Sequence, residues 1–361
     1  MKSIMAKKTA AAILALAGLF NFASSARAGS LEPNAPPGPT MKTLNEIEPR
    51  RPIPASTAAA PKYVISQSGS YYLQGYRYSD AVQIISVEAD NVTIDLCGFE
   101  LVGNNQGLGI GMNGRTNVEI QNGTIRNCAI AIEESSINGR NHKVINVRAV
   151  SNSSSGIHLV GIANEVRGCT AKGNGCNVQP NSNTIYGIFV GSGSTVAENT
   201  VSGNGVSSSA PIYGIMTGDG CTITGNTVSG NAASASTNWN YGIATGSGCT
   251  VTGNTVYDNG RSVVSSGKVY AIYASNGSTV SGNTVYDNGH SVTGSSWGLY
   301  AYNGCTVIGN TVYQNGILAT VTSYGIFLVG NSLVDQNTAY GNAGTNMNNP
   351  GNCVFGTNFA P

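Results

Sequence analysis

Charged residues are scarce in this sequence of 361 amino acids. Aspartate, glutamate, lysine and arginine make up 10% of the chain, and only seven of them lie between Asn181 and Pro361. A disordered segment needs many charges to stay solvated, and a nucleic-acid interface needs clustered lysine and arginine to displace counterions. The composition therefore argues against both, and we expect no nucleic-acid partner.

Metal ligands are few as well. The chain has 3 histidines and 8 cysteines, and no two cysteines form a CxxC pair. Zinc sites are usually assembled from such residues at short spacing. We therefore expect neither a metal nor another cofactor.

Long apolar runs are missing except for one, at the N-terminus. Residues 9–22 are apolar, follow Lys2, Lys7 and Lys8, and precede the small-x-small site Ala26-Arg27-Ala28. This pattern is typical of a secretory signal peptide, and the run is too short for a retained transmembrane helix. We expect residues 1–28 to be removed and the protein to be exported, to the periplasm or outside the cell, without membrane insertion.

What the sequence does contain is an internal repeat. Six segments align without gaps: STVAENTVSGN (194–204), CTITGNTVSGN (221–231), CTVTGNTVYDN (249–259), STVSGNTVYDN (278–288), CTVIGNTVYQN (305–315) and SLVDQNTAYGN (332–342). Their shared asparagines recur every 27 to 29 residues, and a tripeptide such as Tyr-Gly-Ile precedes each segment. A fixed period of this length indicates stacked structural units.

Each repeat contains three short apolar runs with in–out alternation, which predicts strands. Threonine, valine, isoleucine, glycine and asparagine dominate, a mixture that disfavours helix. Leucine is scarce, which argues against leucine-rich repeats. The sequence thus predicts an all-β chain, a parallel β-helix of about ten coils over residues 62–345. A Pro/Ala-rich linker or N-terminal cap (29–61) would precede it, and a C-terminal cap or tail (346–361) would follow.

The G-I-x-x…T-V-x-G-N-T-V-x-x-N repeat resembles the right-handed parallel β-helix proteins of the pectin-lyase-like superfamily. The resemblance implies a right-handed, single-stranded solenoid. It also implies a polysaccharide partner, because members commonly bind, cut or epimerise acidic polysaccharides. The N-T-D, D-D, G-H-G and R-I-K motifs of the pectin hydrolases are absent from the repeats, so no catalytic residue carries over. If the chain is an enzyme, it would be a polysaccharide lyase, hydrolase or epimerase.

Two aspartates at one repeat position are the candidate catalytic residues. The segments YDNGR (257–261) and YDNGH (286–290) align, which puts Asp258 and Asp287 one coil apart, at roughly 5 Å. Two carboxylates at that separation could divide the acid and nucleophile roles of a retaining glycosidase. Arg261 and His290 would share the corner. The alternative is that each aspartate caps a turn.

A column of tyrosines is the candidate ligand-binding surface. Four tyrosines should point outward on successive coils: Tyr257, Tyr286, Tyr313 and Tyr340. Exposed rings can take the apolar faces of sugars while the hydroxyls bond to sugar oxygens, although ordinary ladder packing is the alternative. A second outward column contains Phe189, Met216, Tyr273, Tyr300 and Phe327, with Ala244 as an interruption.

Three further features of the sequence concern cysteine, histidine and glutamate side chains. Cys221 and Cys249 share a position on neighbouring coils and could form a disulfide, with a buried thiol ladder as the alternative. His158 should face outward above Phe189. Glu133 and Glu134, near Arg140 and His142, are interpreted as part of a solvated loop.

The sequence therefore predicts an exported monomer that binds or processes a polysaccharide along one solenoid wall. A non-catalytic structural or surface-interaction solenoid is the alternative. Ice binding through threonine ranks is a remote third, because ranks such as Thr222-Ile223-Thr224 are broken in other repeats.

Overall fold

The computed structural model describes residues 49–176, 184–205, 210–233, 239–261, 267–290, 294–319 and 322–361. The chain divides into two compact units, Met1–Pro49 and Arg50–Pro361, and the fold below is that of the second. The predicted signal peptide (1–28) and most of the predicted linker or cap (29–61) lie outside the described residues.

Every regular element of the described residues is a strand, and the strands form two sheets. The 12-stranded sheet B consists of β2 (Tyr63–Ile65), β5 (Gln83–Val87), β8 (Leu108–Gly111), β10 (Ile130–Glu134), β12 (Ser155–Leu159), β15 (Ile185–Val190), β18 (Ile212–Thr217), β21 (Asn240–Ala244), β24 (Val269–Ala274), β27 (Ser296–Ala301), β30 (Tyr324–Leu328) and β33 (Thr345–Met347).

The 22-stranded sheet A contains two ladders, which the long strands β9 (Val118–Arg126) and β11 (Lys143–Val150) join. The first ladder also has β1 (Arg51–Ile53), β3 (Gly69–Leu73), β6 (Val92–Asp95), β13 (Glu165–Arg167), β16 (Thr195–Ala197), β19 (Thr222–Thr224), β22 (Thr250–Thr252), β25 (Thr279–Ser281), β28 (Thr306–Ile308), β31 (Leu333–Asp335) and β34 (Val354–Phe355). The second has β4 (Arg77–Tyr78), β7 (Glu100–Val102), β14 (Thr170–Lys172), β17 (Thr200–Ser202), β20 (Thr227–Ser229), β23 (Thr255–Tyr257), β26 (Thr284–Tyr286), β29 (Thr311–Tyr313) and β32 (Thr338–Tyr340).

All pairings are parallel and join equivalent residues of successive coils. In sheet B, for example, Ile188 pairs with Ile215, which pairs with Ile243. Each coil thus contributes a sheet B strand followed by one strand in each ladder of sheet A. This confirms the predicted all-β parallel β-helix of about ten coils. None of the described residues forms a helix that could span a membrane.

The core lies between the sheets and is built from stacked aliphatic columns. Ile188, Val196 and Val201, which the repeat predicts to point inward, are all fully buried. Full burial of a side chain of this size contributes about 1.5–3 kcal/mol. Because the same residue types recur in each coil, the core continues along the axis without a break in register.

Two asparagine ladders close the corners of the coils. In the first, the Asn226 side chain donates to Asn254 Oδ1 at 2.9 Å and to the Val196 carbonyl at 2.9 Å. In the second, Asn231 donates to Asn259 Oδ1 at 2.9 Å. These bonds satisfy polar groups that the turns would otherwise leave buried without partners. The predicted amide bonding from coil to coil is confirmed.

Candidate functional site

The structure brings the four predicted catalytic residues into one corner, after β23 and β26. Asp258 and Asp287 both have left-handed backbone, with φ of 54° and 53°. The equivalent positions of other coils are also left-handed, and they are held by Gly203, Gly230, Gln314 and Gly341. The aspartates therefore occupy a turn position that every repeat needs, as the turn alternative requires.

The electrostatics of this corner are those of a partly buried ion pair. Arg261 Nη1 lies 3.6 Å from Asp258 Oδ1, and the arginine side chain is 58% exposed. Burial raises the pKa of the Asp258 carboxyl, Arg261 lowers it, Asp287 raises it and His290 lowers it. The Asp287 charge thus contributes to the raised pKa of Asp258, and the largely exposed Arg261 offsets the Asp258 charge only weakly. A catalytic role for this corner stays a prediction.

The tyrosine column on the second ladder of sheet A forms a regular stack. The rings of Tyr257 and Tyr286 lie 5.0 Å apart at 3°, Tyr286 and Tyr313 are 5.1 Å apart, and Tyr313 and Tyr340 are 5.2 Å apart. Parallel rings at this distance cover one another's faces. The column therefore presents ring edges and hydroxyls to solvent, and face-on contact with sugars is open at its ends only. This geometry favours the packing alternative.

Cys221 and Cys249 lie on neighbouring coils as predicted, and all the cysteines of the chain are free thiols. Cys221 Sγ donates to the Gly191 carbonyl at 3.3 Å, and Cys249 Sγ donates to the Gly218 carbonyl at 3.3 Å. The hydrogen bond to Cys249, together with burial, raises the pKa of the Cys221 thiol. The pair is held as a buried thiol ladder, so the predicted bridge is not formed in this structure.

The outer face of sheet B carries an aromatic wall of two columns, the first of which the sequence prediction missed. This first column, defined by the tripeptides, is Tyr186, Tyr213, Tyr241, Tyr270, Trp297 and Tyr324. Successive rings from Tyr213 to Trp297 stack at 4.5 to 5.0 Å. The second column, three residues further along each strand, is the predicted one that Ala244 interrupts. Strict alternation would turn a tyrosine two residues before an inward isoleucine inward as well, but in β15 both Gly187 and Ile188 are buried, and Tyr186 and Phe189 lie on the outer face.

Both tryptophans of the chain lie at this wall. Lys268 Nζ lies 5.5 Å from the ring of Trp239 and 5.8 Å from that of Trp297. Trp239 is 53% exposed, and the indole nitrogen of Trp297 is buried without a hydrogen-bond partner among the described residues. An exposed indole beside a lysine and a row of tyrosines is typical of a binding surface.

At the N-terminal end of the wall, three titratable side chains lie on successive strands. Glu133 on β10 pairs with His158 on β12, whose ring lies 5.4 Å from that of Tyr186 and 5.0 Å from that of Phe189. The predicted position of His158, outward and above Phe189, is confirmed. No described residue hydrogen-bonds to His158 Nδ1, which is buried.

Burial moves the pKa values of these three groups in different senses. It raises the pKa of Glu133, with a further contribution from Glu134, and it lowers the pKa of His158. It also raises the pKa of Tyr186, against a hydrogen bond to Thr184 that lowers it. A half-buried carboxyl, an imidazole and a phenol on successive strands are groups that can supply an acid and a base.

The prediction that Glu134 and His142 belong to a solvated loop is wrong. Both side chains are 0% exposed, inside the solenoid, with His142 Nε2 3.5 Å from Glu134 Oε2. Glu134 also accepts hydrogen bonds from the backbone N–H groups of Gly114 and Ser136. The sequence did not reveal the burial of Glu134 and His142, because they lie in coils that precede the regular repeats. Inward positions are harder to assign in those coils.

A charged cleft of about 540 Å³ lies on the first ladder of sheet A. Its lining includes Glu119, Lys143 and Glu165, but Glu165 is already paired with Lys143 at 3.9 Å and with Arg167 at 2.9 Å. Exposed pairs of this kind are common on protein surfaces. Within the described residues no three histidine, cysteine, aspartate or glutamate side chains gather to hold a metal ion.

No protein-family model matches this sequence, and no curated protein matches it either. Several solved structures are similar. The A-module of the Azotobacter vinelandii mannuronan C-5 epimerase AlgE4 has a TM-score of 0.53 and 15% identity, over 81% of this chain and 86% of that chain. The AlgE6 A-module from the same organism has a TM-score of 0.50 and 14% identity, over 81% and 91%. The Dettilon tailspike protein has a TM-score of 0.49 and 16% identity, over 82% and 60%.

At identities this low, the similarity supports a statement about the fold alone, and the chemistry has to be argued from the residues described above. The two parallel sheets and the asparagine ladders agree with that similarity. The chain is a right-handed parallel β-helix, with a fold similar to that of the AlgE4 A-module.

Proposed function

We propose that this protein binds a polysaccharide along the outer face of sheet B. The observation that carries the proposal is the aromatic wall, which runs from His158 to Phe327 over seven consecutive strands. At about 4.8 Å per strand, the wall is about 30 Å long. A surface of this length suits an extended polymer better than a small molecule.

The chemistry of the wall fits sugars. Ring edges and phenol hydroxyls along the wall can bond to sugar oxygens, and apolar C–H faces of sugars can contact the exposed Trp239 and the places where the ring stacks are interrupted. Lys268 adds one positive charge at the edge, beside Trp239 and Trp297. The similar AlgE4 and AlgE6 modules are mannuronan epimerases, which supports a polysaccharide partner. The signal-peptide pattern supports a place outside the cytoplasm, in the periplasm or beyond the cell.

A second candidate function, processing of the bound polymer, is favoured by the cluster of Glu133, His158 and Tyr186. Lyase, hydrolase and epimerase reactions all need a proton acceptor and a proton donor at the sugar. His158 with its lowered pKa would accept a proton, and Glu133 with its raised pKa would donate one. This cluster replaces Asp258 and Asp287 as our first choice, because it adjoins the wall.

Retention of the protein in native gels that contain single polysaccharides tests binding. We expect one polymer to retard the wild type, and Trp297→Ala to weaken that retardation at least tenfold because it removes a central ring of the wall. The matched control is Tyr286→Ala, which removes one ring of the stacked column on sheet A and should leave retardation unchanged. Retardation that depends on Tyr286 and not on Trp297 would transfer the site to sheet A.

Chain-length and composition profiles of the retained polymer separate binding from processing. We expect the wild type to alter the polymer and His158→Gln to bind it without altering it. If the wild type leaves the polymer unchanged, the result supports binding and not processing. Failure of every polymer to retard the wild type would favour the structural solenoid, for which the uniform asparagine ladders are the supporting observation.

A further inference from the structure

One coil has a small side chain where other coils of the second column have large ones. In the second column of the aromatic wall, Ala244 lies between Met216 and Tyr273, and it pairs with both in register. Other coils place an aromatic side chain at this position, as Phe189, Tyr300 and Phe327 do. The alanine therefore leaves a notch in the column, one residue deep and one coil wide.

The notch is a formed cleft with aromatic walls. Its volume is about 200 Å³, and its lining includes Tyr213, Met216, Tyr241, Ala244 and Tyr273. This is below the range of about 300–1,000 Å³ for sites that hold drug-sized ligands, so the space suits a single ring. Ala244 itself is 5% exposed, so the floor lies well below the surface.

Tyr273 presents an uncovered ring face to the notch. On one side its ring stacks on Tyr300 at 5.3 Å and 14°. On the other side the column offers the methyl group of Ala244, and Tyr241 meets Tyr273 edge-on at 5.9 Å and 83°. In the first column each ring from Tyr186 to Tyr270 is stacked on both sides. The side of Tyr273 that faces Ala244 is therefore a place inside the wall where a ligand ring can stack.

Hydroxyl groups surround the notch. Tyr213, Tyr241 and Tyr273 line the notch, and each carries a phenol. A ligand ring that stacks on Tyr273 can bond to phenols at its rim. A sugar ring has one apolar C–H face and a rim of hydroxyls, which matches this arrangement, whereas a plain aromatic ring offers the phenols few partners.

We infer that the Ala244 notch is a subsite for one pyranose ring, which stacks on Tyr273 and completes the aromatic column. The inference rests on the proposed function, since it names a place on the same wall where one sugar unit of the bound polymer is held. The notch would help to fix the register of the polymer along the wall, because the neighbouring rings of the first column are stacked on both sides.

Saturation-transfer NMR with small probes tests the notch directly. The probes are methyl β-glucopyranoside, methyl α-mannopyranoside and methyl β-galactopyranoside, with phenol as a planar control. We compare the wild type with Ala244→Phe, which fills the notch with a ring that equivalent coils accommodate, and with Ala244→Ser, which keeps it open. Tyr273→Leu removes the uncovered ring face and serves as a second variant.

We expect at least one glycoside to receive saturation from the wild type and from Ala244→Ser. Its affinity should fall at least tenfold in Ala244→Phe and in Tyr273→Leu. Equal binding to the wild type and to Ala244→Phe would overturn the inference, and so would the absence of binding for all three glycosides. Binding of phenol alone would assign the notch to a planar aromatic ligand and also overturn it.

The two proposals fail separately. If the glycosides ignore the notch while a polymer is still retarded through Trp297, the proposed function stands and the subsite does not. If glycosides bind at the notch while no polymer is retarded, the subsite stands as a monosaccharide site and the proposed function fails.

Discussion

At the scale of single residues, the most unusual feature is the contact between the buried Glu134 and His142 inside the solenoid. Glu134 pairs in register with Leu159 of the next coil, and the position of His142 is taken there by Asn164. Removing one partner of a buried polar contact leaves the other without compensation. Leucine and asparagine, which the next coil holds at these positions, are therefore the fitting replacements for Glu134 and His142.

We expect Glu134→Leu alone to lower the free energy of unfolding by about 1–3 kcal/mol for each buried group that loses the carboxylate, namely His142 and the backbone N–H groups of Gly114 and Ser136. The double variant Glu134→Leu/His142→Asn should recover the part of the loss that belongs to His142. Urea unfolding followed by circular dichroism measures both. A double variant no more stable than Glu134→Leu would mean that the contact with His142 contributes nothing to these coils.

His158 predicts a pH dependence of stability. Burial holds its folded-state pKa below the ordinary histidine value of about 6.5, so the unfolded chain binds protons more readily. The free energy of unfolding should therefore fall as the pH drops below about 6.5. His158→Phe, which extends the column of Phe189, should remove this part of the slope. Identical slopes between pH 7 and pH 5 in both proteins would contradict the assignment.

At the scale of elements, the ladders are what the repeat encodes most directly. Asn254 donates to Ile223, Thr252 and Asn283 and accepts two hydrogen bonds from Asn226. An asparagine at the same step of every repeat is visible in the sequence, and the register of a stacked coil then follows from the period. For this reason the fold and both ladders could be predicted.

Asn254→Ala should lower the free energy of unfolding by about 3 kcal/mol, because it leaves the buried backbone N–H of Asn226 without its acceptor and removes the bonds that the Asn254 side chain makes to Asn226, Ile223 and Asn283. The matched control is Asn303→Ala, at an exposed turn position, which we expect to stay within about 0.5 kcal/mol of the wild type. Thermal unfolding of the three proteins measures the difference. Equal losses at both positions would show that the ladder bonds add nothing beyond turn propensity.

The candidate site was harder to predict than the ladders. Tyrosine in the Tyr-Gly-Ile tripeptides served as an apolar marker of the repeat, and alternation from the inward Ile188 would turn it inward. It lies on the outer face because Gly187 and Ile188 are both buried, which the sequence pattern does not show. The pairing of Glu133 with His158 joins β10 to β12, two coils outside the regular repeats. Its register depends on a turn length that the weaker upstream copies do not define. The repeat pattern predicts well which residues stack from coil to coil. It predicts poorly which side chains come together where the coils are irregular.

At the scale of the whole molecule, charge and aromatic surface are separated. Ion pairs such as Arg126–Glu100 and Arg167–Glu198 lie on sheet A of the earlier coils, while the aromatic wall lies on sheet B and continues through the later ones. A polymer bound through ring contacts and phenol hydroxyls should be little affected by ionic strength, in contrast to one bound by exposed charges. Retardation on the gel should therefore persist when salt is added.

The central claim, that the polymer lies on the wall of sheet B, is tested most directly by tryptophan fluorescence. Trp239 and Trp297 are the only tryptophans of the chain and both lie at the wall, so selective excitation reports on this surface alone. Titration with the polymer that retards the protein should give a saturable change in emission, with a midpoint that matches the retardation. A polymer that retards the protein and leaves the tryptophan emission unchanged would contradict the account.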